Sequence, residues 1–130
     1  MKPELFYLAL VTALTGVLWL PYILDRTMVW GLMDTVGYPD NPKPQSPWAQ
    51  RLMRAHANAV ENLVIFATLV LTANALGIGN HATETAAMAY LWARVVHAAA
   101  YVAKLPWIRT LAFVAGWVCC AVFAWQILGR

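Results

Sequence analysis

Two sets of polar residues recur at helical spacing inside otherwise apolar sequence. Arg54, Asn58 and Glu61 stand at i, i+4 and i+7; Tyr90, Arg94, His97, Tyr101 and Lys104 stand at i, i+4, i+7, i+11 and i+14. At about 3.6 residues per turn, each set falls on one face of a helix. A charge at the centre of a bilayer costs roughly 2.5–3.5 kcal/mol even on the gentlest scale, so such residues must be paired, wetted or used. Arg54, Arg94, Lys104 and Arg109 outnumber Glu61, and cations converging on one place suit an anionic ligand. A purely structural reading stays open, in which Glu61 pairs with Arg94 while Asn58 and His97 join helices. Such contacts average only about 0.6 kcal/mol in membranes, a small return for so many intramembrane polar groups. A polar path for conduction is a third reading.

The elements that must carry these residues follow from composition. Of 130 residues, 62% are hydrophobic and only 12% charged, about half the charge usual in a soluble domain. Four stretches are long enough to span a bilayer: Glu4–Leu24, Trp48–Leu76, Glu84–Leu105 and Trp107–Leu128. The expected fold class is all-α: an integral membrane protein, a four-transmembrane-helix bundle forming a single domain over residues 1–130, with loop 25–47 in the cytoplasm. The first stretch lacks a small-x-small cleavage site and is expected to be a retained span rather than a signal peptide. Arg26, Lys43, Arg51, Lys104 and Arg109 fall on one side of the membrane, against Lys2 and Arg130 on the other. The positive-inside rule then places both termini away from the cytoplasm. The charge of +3 and pI near 9.1 reflect this clustering and not a nucleic-acid surface. Adjacent Cys119 and Cys120 point about 100° apart on a helix and read as small apolar side chains, and no metal-ligand set is spaced for binding.

Local signals set the helix ends. Pro3 and Glu4 suit a first turn, and Pro21 is expected to kink the end of the first helix. Thr27–Pro47 carries Pro39, Pro42, Pro44, Pro47, Gly31 and Gly37 and reads as irregular, with an apolar start at the interface. Ser46-Pro47 offers an N-cap with proline at the first helical position. The second helix would run about 43 Å at 1.5 Å per residue, so its polar N-terminal part projects into the interface. Thr83 is the expected cap of the third helix, and Pro106 allows only a tight turn into the fourth. Tyr22, Trp30, Trp48, Trp107 and Trp125 form an interfacial belt.

The run Arg54-Ala-His-Ala-Asn58-Ala-Val-Glu61-Asn-Leu63 resembles the Arg-Ala-x-x-Asn-x-x-Glu signature of the MAPEG family, the membrane-associated proteins of eicosanoid and glutathione metabolism. Ala93–Thr110, ARVVHAAAYVAKLPWIRT, resembles the third helix and the start of the fourth in microsomal prostaglandin E synthase and its relatives, the microsomal glutathione transferases among them. Both motifs lie in the right order, and the likeness covers nearly the whole chain, as of a bacterial-type member. Two positions depart from the pattern. Ala57 stands where the prostaglandin synthase has another arginine, and Asn62-Leu-Val-Ile-Phe66 lacks the proline that several members carry after the glutamate.

The resemblance implies a homotrimer with glutathione, as co-substrate, bound between subunits on the cytoplasmic side. Carried over by position, Arg54, Asn58, Glu61, Arg94, His97, Thr110 and, at the end of helix 1, Arg26 would bind glutathione. Arg109 would act on its sulfur, with Tyr101 beside it. It implies a membrane-embedded glutathione-dependent transferase or peroxidase acting on lipophilic electrophiles, in the inner membrane if the source is bacterial. Lipids and lipophilic small molecules would be its other partners. Because the family includes a non-catalytic lipid-binding member, the alternative is a lipid-binding or scaffold protein.

Overall fold

The computed structural model describes residues 1–129; Arg130, counted above in the charge asymmetry, lies outside the described residues. The order is α1 (Pro3–Val17), α2 (Trp19–Trp30), α3 (Leu32–Val36), α4 (Pro47–Ala75), α5 (His81–Val102) and α6 (Pro106–Leu128). Among the described residues, three helices are long and apolar enough to cross a membrane: α1 with α2 as one run over Pro3–Trp30, α4, and α6. Thr83, Glu84, Thr85, Arg94 and His97 interrupt α5, which falls short of that apolarity.

The first helix is longer than its hydropathy suggests, reaching Trp30 rather than Leu24, so the connection begins at Gly31 and itself contains the short α3. The expected irregular segment is therefore helical at its start. Pro21 breaks the run a turn earlier than expected, at Leu18. It has no N–H to give the carbonyl of Val17, four residues back, and its ring crowds that carbonyl.

The connection is fastened at its far end. Asp25 is buried, accepting from Gln45 Nε2 at 3.2 Å, from the Ser46 backbone N–H at 3.1 Å and from the Ser46 hydroxyl. Ser46 stands at the N-cap of α4, but its hydroxyl serves Asp25 instead of capping. Arg26 Nε donates to Gln45 Oε1 at 2.8 Å, and its guanidinium lies 5.1 Å from the centroid of Trp30. Tyr22 adds a bond to His56 Nδ1 on α4 at 2.8 Å.

The core sits between α1, α4, α5 and α6, where Leu8, Val11, Phe66, Val70, Tyr90 and Phe123 are buried. Phe66 stacks on Tyr90 with centroids 3.8 Å apart and meets Phe123 edge-on at 6.0 Å. At Gly116 α6 packs against α5: a Cβ there would stand 3.5 Å from the Tyr90 ring, in ordinary contact. Cys119 and Cys120 are free thiols buried in this core.

α5 begins at His81, not Glu84, and its N-cap is Asn80 rather than Thr83. Asn80 Oδ1 accepts from the Thr83 N–H at 3.1 Å and Thr83 Oγ1 accepts from the Asn80 N–H at 2.9 Å, a reciprocal capping box. The Thr83 hydroxyl also reaches buried Glu4 at 2.8 Å, tying the start of α1 to α5.

α4 and α5 end in one pattern. In α4, Ile78 N–H bonds Ala73 O and Gly77 N–H bonds Asn74 O; in α5, Leu105 N–H bonds Ala100 O and Lys104 N–H bonds Tyr101 O. Both are Schellman motifs, which place one residue in the left-handed region. α4 uses Gly77, at φ 71°, while α5 uses Lys104, at φ 61°. An L-residue there costs roughly 1–2 kcal/mol. Lys104 is thus off the α5 stripe, in the turn beyond it.

Candidate functional site

Asn58 of α4, His97 and Tyr101 of α5, and Arg109, Thr110 and Phe113 of α6 line one polar cavity of about 220 Å³. Spacing of four residues stacks His97 and Tyr101 on one face of α5, with ring centroids 5.6 Å apart in edge contact. The tight turn at Pro106 brings the first turn of α6 alongside. The Arg109 guanidinium lies 5.1 Å from the centroid of Tyr101, within cation–π range, so the ring steadies the charge at the cavity. The Thr110 hydroxyl donates back to Pro106 O at 2.8 Å, which leaves its lone pairs as acceptors.

Arg94 stands one turn deeper and is only 4% exposed. Its Nη2 donates to Asn58 Oδ1 at 2.8 Å, and Arg94 Nε has no partner among the described residues. His97, 2% exposed, has an unpartnered Nδ1, as has the Tyr90 hydroxyl. Arg94 is therefore held by Asn58, not by Glu61. Since Asn58 Oδ1 takes the guanidinium, its Nδ2 is the group left to donate.

A second cleft, of about 320 Å³, shares Tyr101 and Arg109 and adds Arg51, Arg54 and Lys104. Arg51 Nε donates to Val102 O at 3.0 Å, satisfying a last-turn carbonyl of α5.

The family model for the MAPEG family matches residues 8–129. The chain belongs to the MAPEG family. No curated protein matches it. Membership, with the three apolar helices, makes it an integral membrane protein.

Against this MAPEG chain, the expected site residues divide into three groups. Asn58, His97, Tyr101, Arg109 and Thr110 share one cavity, with Arg94 bonded to it through Asn58. Arg54 lines the adjoining cleft. Glu61 is exposed on α4 and lines neither, and Arg26 is occupied with Gln45 and Trp30. Sequence reasoning missed Asp25, and it missed Arg51, one turn before Arg54, as a site residue. It also missed Tyr22–His56, whose partners carry no spacing signal. The nearest clue to Asp25 was Ser46-Pro47, a capping hydroxyl that could serve another acceptor.

Proposed function

We propose that this MAPEG protein is a glutathione-dependent transferase or peroxidase for lipophilic electrophiles, working as a homotrimer of subunits that each cross the membrane four times. The observation that carries the reading is the Arg109 guanidinium steadied over Tyr101 at the mouth of the cavity that holds Asn58, His97 and Thr110. The donor set fits the tripeptide. Asn58 Nδ2 can donate, His97 can donate or accept, and Arg54 lies alongside for a carboxylate. Exposed Glu61 and the outlying Arg26 would complete the site across a subunit boundary, as acceptor for the ligand amine and as carboxylate partner. The likeness to the prostaglandin synthase and glutathione transferase branches and to bacterial-type members belongs to this reading. So do an inner-membrane location and termini away from the cytoplasm.

Glutathione supplies a thiol nucleophile when bound. Arg109 favours the thiolate, because a cation beside sulfur stabilises the charged form; two pKa units of lowering correspond to roughly 2.7 kcal/mol. Tyr101 and His97 orient the guanidinium and the ligand.

Calorimetric titration of detergent-purified protein with glutathione, beside turnover of a lipophilic electrophile, tests the proposal. Arg109→Ala should lower turnover far more than binding, because its charge acts chiefly in the transition state. An absence of glutathione binding at millimolar concentration would sink the enzyme reading. Lipid binding without catalysis would then gain from a different feature: an apolar cleft of about 490 Å³ between α4 and α6, lined by Ile65, Leu69, Trp117, Ala121 and Trp125.

A further inference from the structure

The second cleft holds more cations than the proposed glutathione contacts use: Arg54 and Arg109 serve that reading, whereas Arg51 and Lys104 do not. Arg51, Arg54, Lys104 and Arg109 line it together with Ala100, Tyr101, Leu105 and Pro106, with no Asp or Glu in its lining among the described residues. Cations sharing one cleft repel one another, and an anion among them offsets that repulsion. The helix ends around it are arranged to the same effect. Arg51 and the Schellman bonds satisfy the last carbonyls of α5, removing partial negative charge from the cleft. α6 starts at Pro106 on the cleft wall, so the positive end of its dipole faces the space.

Lys104 is the independent sign. The same turn at the end of α4 uses glycine, as the left-handed backbone favours, whereas α5 holds a lysine at φ 61°. A strained residue retained where glycine would serve points to a use for its side chain. Here the ammonium lines a cleft already holding three guanidiniums.

Depth indicates the ligand. The cleft lies where α5 turns into α6 and beside the first turns of α4, and each of α4 and α6 carries an exposed tryptophan at its second residue, Trp48 and Trp107. Tryptophans of this kind mark the headgroup level of a membrane. Two-pronged guanidiniums and a point-charge ammonium together match a phosphate group, with its several acceptor oxygens, better than a two-oxygen carboxylate.

We propose that Arg51, Arg54, Lys104 and Arg109 form a phosphate site at headgroup depth, taking the phosphate of an anionic lipid or a free phosphate ion. The site shares Tyr101 and Arg109 with the glutathione cavity and adds Arg51 and Lys104, which the glutathione reading leaves unused.

The test uses full-length protein in detergent micelles, without thiol, titrated separately with short-chain phosphatidylglycerol, short-chain phosphatidylcholine and inorganic phosphate. Saturable, salt-sensitive binding of phosphatidylglycerol over phosphatidylcholine identifies a lipid site; equal or tighter binding of inorganic phosphate identifies a soluble source. Lys104→Gly, which relieves the backbone strain and should fold at least as stably, should weaken whichever anion binds by roughly fivefold. Lys104→Arg should restore it. Failure of both anions to bind, or affinity unchanged in Lys104→Gly, overturns the proposal. Either result stands apart from glutathione binding, because no glutathione is in the assay.

Discussion

Removing the Asn58 side chain should expose how much the fold depends on one hydrogen bond to a buried charge. Arg94 is 4% exposed and donates through Nη2 to Asn58 Oδ1 at 2.8 Å. A hydrogen bond to a charged group is worth about 1.5–3 kcal/mol, and a buried donor left without its acceptor loses its desolvation as well. Asn58→Ala should therefore destabilise the protein by about 2–3 kcal/mol. Arg94→Met should cost less, about 1 kcal/mol or below, since it removes the charge with its need for a partner. The abandoned Asn58 Oδ1 keeps a contact from Asn62 Nδ2 at 3.3 Å. In the double variant there is no guanidinium to strand, so its stability should lie near that of Arg94→Met alone. The coupling energy then equals the Asn58→Ala cost, about 2–3 kcal/mol, at least roughly thirtyfold in an equilibrium constant. Equilibrium unfolding in mixed micelles of increasing dodecyl sulfate fraction, followed by tryptophan fluorescence and circular dichroism, gives all four corners of the cycle. Additive single changes, or a coupling at or below the ~0.6 kcal/mol typical of interhelical bonds in membranes, would refute the view that Arg94 depends on Asn58.

Three further outcomes are expected. Asp25→Ala should strand the Gln45 and Ser46 donors and cost about 1–3 kcal/mol; limited proteolysis should cut between Gly37 and Ser46 faster, and an unchanged rate would argue against the latch. Asn80→Ala removes the Asn80 half of the capping box, together with the Asn80 Nδ2 bond to Gln126 Oε1. It should lower stability by about 1 kcal/mol, with amide exchange quickening in the first turn of α5 rather than along its length. Gly116→Ala should be neutral or mildly stabilising, because its Cβ would make only an ordinary contact with Tyr90. Gly116→Leu should cost about 1–3 kcal/mol by forcing α5 and α6 apart, and equal melting temperatures for the two variants would contradict this packing.

The helices and their polar faces were legible because period and composition are local properties. Asn58, His97, Tyr101 and Arg109 meet because helical spacing sets the first three on their faces and Pro106 folds α6 back against α5. Residues whose role depends on a distant partner were less legible. Asp25 goes unnoticed because nothing in its neighbourhood announces Ser46, and Ser46 reads as a cap because its hydroxyl can accept from a helix N–H as readily as donate to a distant carboxylate. The pairing of Glu61 with Arg94 was reasonable by charge, yet Asn58 is the residue that reaches the guanidinium. Thr83 carries the signature of a cap, but in a reciprocal box the third residue looks much like the first. Lys104 fits the stripe by arithmetic alone, because helical counting cannot show that the helix has already ended at Val102.

The break at Leu18 divides the chain into two mechanical couples. Before the break, α1 lies against α5 as well as α4, anchored by Glu4 on Thr83; after it, α2 lies against α4, anchored by Tyr22–His56 and the Asp25 latch. The latch spans only 21 residues of chain, whereas the Glu4–Thr83 bond spans 79. During synthesis, the α2–α4 corner can be fastened while the residues of α5 are still to be made. The Glu4 carboxylate must wait, without its final partner, for Thr83. A chain assembled in this sequence sets the spacing of its first two long helices before the face bearing His97 and Tyr101 arrives. Errors in the first connection would therefore reach the site as a displaced Asn58, with α5 and α6 themselves correctly paired.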